Sequence, residues 1–233
     1  MESGFPPVEA VGLSKTFRGG SGDVVAVDDV SLTVDPGTIM IVTGPSGSGK
    51  STLLQLLAGL DRPDRGHVRI DGVDLSGLRD RAATRLRRDR IGFVFQSFQL
   101  LPQLTAEQNI ALPLRFARRS IDRQELLHLA DLLGIADRLD HLPAELSGGQ
   151  QQRVAVARAL ITGPDVVFAD EPTGALDAGS AGALMDVFDT ACRELGQTFV
   201  IVTHDARVAA RAEVVFEMAA GRLTRAGAAP VAP

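Results

Sequence analysis

Thr38-Ile39-Met40-Ile41-Val42-Thr43-Gly44-Pro45-Ser46-Gly47-Ser48-Gly49-Lys50-Ser51-Thr52 is the stretch on which the fold turns. Its first six residues are apolar and β-branched, the composition of a strand buried on both faces of a parallel sheet. Gly44 to Thr52 fits the phosphate-loop pattern G-x-x-x-x-G-K-[ST]. Ser51 to Ala58 then reads as a helix with its leucines turned inward. Gly44, Gly47 and Gly49 let backbone N–H groups turn around phosphate oxygens, and the helix N-terminus adds a favourable dipole. In that loop, closed by Thr52, Lys50 is expected on the β- and γ-phosphates and the Ser51 hydroxyl on Mg²⁺. By chance the pattern arises in roughly one chain in a hundred of this length, so the flanking strand and helix carry the reading. Among 24 basic residues only Lys15 and Lys50 are lysines. A compact ammonium suits a phosphate better than a guanidinium fork does.

Upstream, residues 8–34 alternate apolar and polar and are broken by Gly19-Gly20-Ser21-Gly22, as antiparallel strands joined by a loop would be. Downstream, Asp61 to Gly66 is a turn, His67 to Ile70 a strand, and Ile91 to Phe95 a strand ending at Gln96. From Leu104 to Leu160 the pattern is helical, with Thr105, Asp122 and Ser147 placed to cap helices. Strands resume at Asp165–Ala169 and Thr198–Val202, with a helix between them ending near Leu195. The pattern predicts an α/β fold: a P-loop parallel-sheet core, an N-terminal antiparallel β subdomain and an inserted helical subdomain at about 97–160. One domain over 5–226 and a disordered tail over 227–233 complete the expectation.

The strand before Asp170 and Glu171 ends in two carboxylates. Asp170 is expected to bind Mg²⁺, and Glu171 to orient and deprotonate a water. A strand running into an acidic turn explains one carboxylate, but not two beside a phosphate loop. His204 ends another buried strand, where ligand crevices form in parallel sheets, and is expected at a γ-phosphate. Gln96 can bond the metal or its water. Phe17 reads equally as a base-stacking ring and as a core side chain. Leu146-Ser147-Gly148-Gly149-Gln150 puts small residues at a helix start, a good anion site.

A net charge of −5 argues against nucleic-acid binding by bulk attraction. Arg79 to Arg90 holds six arginines but also Asp80 and Asp89, and reads first as a solvated helix face, second as a docking patch. Cys192 leaves no intramolecular disulfide and reads as a small buried hydrophobe. No run approaches the eighteen or so apolar residues of a membrane span, and the first residues lack the pattern of a secretory signal.

With these elements in this order, the chain resembles the ATP-binding subunit of ATP-binding cassette (ABC) transporters from about Val8 to Leu223. The resemblance implies MgATP hydrolysis at the interface of a head-to-tail homodimer. There Ser147, Gly148, Gly149 and Gln150 face the γ-phosphate held by the other copy, and Phe17 stacks on adenine. Gly174-Ala175-Leu176-Asp177 matches the loop through which the copies meet, with Asp177 at the nucleotide. It also implies an integral-membrane permease as partner, and a cytoplasmic place on the inner face of the membrane. Gln99 to Ala106, Gly148 to Arg153 and Glu171 to Gly174 look like the lipoprotein-release and macrolide-export branch, which usually has asparagine where this chain has Ala175. That branch implies export or release of a hydrophobic compound, a peptide or a lipoprotein. A sister of the branch signals to cell-wall hydrolases without transport, and the residues leave that alternative open.

Overall fold

The computed structural model describes residues 4–19, 22–212 and 214–226. The tail 227–233, the first three residues, Gly20, Ser21 and Glu213 lie outside the described residues. The strands are β1 (Val8–Phe17), β2 (Val24–Val34), β3 (Ile39–Thr43), β4 (Arg65–Ile70), β5 (Val73–Asp74), β6 (Ile91–Phe95), β7 (Val166–Asp170), β8 (Phe199–Val202), β9 (Val214–Ala219) and β10 (Arg222–Arg225). The helices are α1 (Lys50–Leu57), α2 (Asp80–Arg90), α3 (Ala106–Ala117), α4 (Arg123–Leu132), α5 (Gly148–Leu160), α6 (Ala178–Leu195) and α7 (Ala206–Ala209).

β2, β1, β4 and β5 form an antiparallel sheet in that order. The larger sheet runs β10-β9-β3-β8-β7-β6, parallel from β9 to β6, with β10 antiparallel at one edge. Period-two alternation sorts its side chains into two cores. Ile41, Val167, Ala169, Phe199 and Ile201 point into a core shared with α3, α4, α5 and α6. Met40, Val42, Val166, Phe168, Val200 and Val202 point into the other, shared with α1 and the antiparallel sheet. Both faces are buried, which explains why these strands are apolar runs rather than alternating ones. Phe168, Phe188 and Phe199 are among the largest fully buried side chains, and truncating any one to alanine would cost about 3–5 kcal/mol.

Three α-helices and two short 3-10 turns lie between β6 and β7. Thr105 and Ser147 each close a capping box, with Gln108 and Gln150 respectively, and Asp122 caps α4 through the N–H groups of Gln124 and Glu125. The β9–β10 hairpin, β5 and α7 were not legible in the sequence. Cys192, read as buried, is half-buried on α6, with its thiol donating to the Gly37 carbonyl at 2.9 Å. The C-terminal ends of β3, β6, β7 and β8 meet at one edge of the sheet, and the residues that follow them line the candidate site.

Candidate functional site

The phosphate loop leaves β3 and returns as α1, whose start at Gly49 has no side-chain cap. The helix's first N–H groups are therefore free for an anion. Glycine is required at two positions here. Gly44 (φ 149°) and Gly49 (φ 106°) adopt conformations that other residues avoid, and a Cβ would lie 2.1 Å from the Met218 carbonyl oxygen and 2.0 Å from the Ala26 carbonyl oxygen. The hairpin missed in the sequence steadies this loop, because the Gly221 N–H donates to the Ser48 carbonyl at 3.1 Å.

A cleft of about 860 Å³ opens over the loop, lined by Pro45, Ser46, Gly47, Gly49, Lys50, Ser51 and Thr52, with Phe17, Gln96, Glu171 and His204 around it. Gly44 and Ser48 lie behind this wall, and Ser48 is almost wholly buried. Lys50, also buried, donates to the Gly44 and Pro45 carbonyls at 2.9 and 3.0 Å, so its ammonium is held over the loop. Phe17 ends β1 at the rim, 46% exposed, with the Lys15 ammonium 5.6 Å from its ring centroid. The choice left open in the sequence therefore falls against a core side chain.

Ser51 Oγ donates to Asp170 Oδ1 at 3.1 Å, which brings two hard oxygen donors together beside the loop. Burial, the largest influence, pushes the Asp170 carboxyl above its ordinary value, and the Glu171 charge adds to this; the Ser51 bond and Lys50 oppose it. Glu171 sits in the left-handed region at φ 46°, with its N–H bound to the Val202 carbonyl at 3.0 Å. Backbone in that region costs about 1–3 kcal/mol and is characteristic of functional positions. Its Oε1 lies 2.9 Å from His204 Nδ1. An ionised carboxylate only accepts, so Nδ1 carries the proton and Nε2 remains for another partner. Gln96 faces the loop after β7, where a Cβ on Gly174 would meet its Nε2 at 2.8 Å.

Ser147, Gly149 and Gln150 line a different groove of about 340 Å³, together with Arg153 and Ser180. Gly148 faces Leu176 and Phe98. Asp177 caps α6, accepting from the N–H groups of Gly179 and Ser180 and from Ser180 Oγ. The Ser180 bonds hold its carboxyl below the ordinary range. The sequence-predicted residues thus fall into two groups on separate surfaces of one chain. Sequence reading missed Gln152 and Arg158 of α5, whose partners lie far away in the chain.

Residues 27–174 match the family described as ABC transporter. The chain is 43% identical over 218 residues to the lipoprotein-releasing system ATP-binding protein LolD of Porphyromonas gingivalis, covering 93% of this chain and 98% of that protein. It is 46% identical over 236 residues to the macrolide export ATP-binding/permease protein MacB of Rhodopseudomonas palustris. That match covers 96% of this chain but only 36% of that protein, so the chain spans about a third of the macrolide-export relatives. Among solved structures, the dimeric ATP-binding cassette MJ0796 in a post-hydrolysis state bound to ADP and Pi superposes with a TM-score of 0.81 at 40% identity, covering 94% of this chain and 98% of that one. On this likeness in sequence and fold, the chain belongs to the ABC transporter family and is one of its ATP-binding cassettes.

Proposed function

We propose that this chain, a single cassette over residues 5–226 with a mobile helical lobe at about 97–160, hydrolyses ATP as a head-to-tail homodimer attached to a separate membrane permease. The separation of the phosphate-loop cleft from the Ser147–Gln150 groove carries the reading. One chain offers half a site twice, and rotating a second copy onto it joins each cleft to the opposite groove. The dimeric MJ0796 cassette supports this arrangement by its likeness.

In the joined site Gly47, Gly49 and the N–H groups opening α1 bind phosphate oxygens, Lys50 neutralises them, and Phe17 stacks on the base. Ser147, Gly148 and Gly149 of the second copy cover the γ-phosphate with helix N–H groups, while Gln150 completes the capping box and Asp177 reaches the shared interface. Ser51 and Asp170, with Gln96 across the cleft, form an oxygen donor set that fits Mg²⁺. Mg²⁺ would offset charge on the β- and γ-phosphates. Glu171 takes a proton from water as the water oxygen bonds to the γ-phosphorus and the bond to the ADP oxygen breaks. His204 fixes the Glu171 carboxylate through Nδ1–H, and its contact with the γ-phosphate requires a second proton, on Nε2, to donate.

Among the described residues no helix is long and apolar enough to cross a membrane, so a transport role draws on membrane-spanning helices outside them. LolD, MacB and the syringafactin exporter SyfD are named for lipoprotein release or for export. By likeness to them we assign export or release of a hydrophobic compound, peptide or lipoprotein, from the inner face of the membrane. Affinity capture of Glu171→Gln from detergent-solubilised membranes with MgATP tests the assignment. A permease with few membrane helices and a large extracytoplasmic domain is expected. A many-helix uptake permease, or no membrane protein, would contradict it.

A further inference from the structure

Helix α5 presents Ser147, Gly148 and Gly149 at its start and sends two later side chains to the segment around Gln96. Gln152 is fully buried, and its Nε2 donates to the carbonyl of Phe95, the residue before Gln96, at 3.1 Å. Arg158 donates from its guanidinium to the Phe98 carbonyl at 2.8 Å and to the Gln99 carbonyl. Burial lowers its pKa, yet it stays charged and spends two fork donors on this one turn. Phe98 and Gln99 are consecutive left-handed residues, φ 57° and 52°, and neither is glycine. Such a turn is strained, and besides the bonds from Gln99 back to Ser97 through its N–H and Nε2 it is fixed from outside by the Arg158 fork. Further along, buried Asn109 of α3 accepts from the Leu101 N–H at 2.8 Å and donates to the Leu101 and Leu104 carbonyls.

The Gln96 segment is therefore fastened to α5 at one end and to α3 at the other. Gln96 itself faces the nucleotide cleft, while the start of α5 faces the other groove. We propose that Gln152 and Arg158 are positioning residues that join these two surfaces, so that phosphate contact at Ser147–Gly149 sets where Gln96 sits. The proposal rests on the head-to-tail homodimer above. Through it, nucleotide held by one copy governs the metal-side glutamine in the cleft of the other, and coupling of this kind runs equally in both directions.

Hydrogen exchange tests it on Glu171→Gln, with and without MgATP, beside Glu171→Gln/Gln152→Leu and Glu171→Gln/Arg158→Lys. Leucine keeps the volume at 152 and removes a side-chain oxygen that is buried without a partner, so the fold should survive. Lysine at 158 keeps the charge and loses the fork. ATP should protect amides 147–151 in all three proteins. Amides 96–101 should slow about fivefold or more in the first protein and less than about twofold in the other two. An equal response of 96–101 in all three would overturn the proposal. No protection of 147–151 in Glu171→Gln would remove the dimer reading, and this proposal with it. In turnover, Gln152→Leu alone should lower kcat about tenfold with KM for ATP within about twofold. A loss carried by KM alone would count against positioning.

Discussion

Glu171 combines a left-handed backbone, an N–H tied to β8 and a carboxylate bonded to His204. Its aim is thus set before any nucleotide arrives, which is what a general base needs. Glu171→Gln keeps the shape and removes the proposed base. It should bind ATP normally and release phosphate about 10²–10⁴-fold more slowly than the native chain. Asp170 has the opposite character. Its raised carboxyl pKa means that the folded chain holds a proton at pH values where the unfolded chain has lost it. At neutral pH the ionised group therefore costs stability, and the cost is relieved as pH falls through the raised value toward the ordinary 3.8. Asp170→Asn should melt at or above the native temperature at pH 7 without nucleotide, and that difference should close as the pH falls through this window. The same variant should lose hydrolysis. A lower melting temperature at pH 7 would show that Asp170 stabilises the fold rather than burdening it.

At the level of elements, what could be read in the sequence was what neighbouring residues decide among themselves. β3, β7 and β8 are apolar runs because both faces of the sheet are covered, and Thr105, Asp122 and Ser147 cap helices through N–H groups two or three residues ahead. Hidden features depended on distant partners. The β9–β10 hairpin turns at Ala220 and Gly221, both with positive φ, but alanine at the first position lacks the Asn-Gly or Asp-Gly signature. Gln152 and Arg158 look like ordinary helix residues until Phe95, Phe98 and Gln99 are placed beside them. Gly92 is another such case. A Cβ there would lie 2.6 Å from the Ala159 carbonyl oxygen and 2.9 Å from the Val167 side chain, so β6 and α5 pack closely only without one. Gly92→Val should cost about 2 kcal/mol or more in denaturant unfolding and should loosen the joint that carries Gln96. An unchanged midpoint would show that the helical lobe accommodates the added bulk.

For the whole molecule, the governing fact is that the phosphate-loop cleft and the Ser147–Gln150 groove lie on separate surfaces of one chain. The arginines of α2 do not compete as an anion site, since several are committed. Arg88 pairs with Asp89, while Arg90 bonds both Asp71 and Asp165 and so ties the end of β4 to the start of β7. Trans-complementation tests the head-to-tail homodimer most directly. Lys50→Ala disables the cleft and Ser147→Arg disables the groove, and each variant alone should hydrolyse almost no ATP. In a mixed dimer both lesions fall in one site and leave the other intact. Half of the dimers in an equal mixture are mixed, so ATPase activity should recover to about one quarter of the native value. Activity that stays at the mean of the two inactive variants would mean that each chain completes its own site.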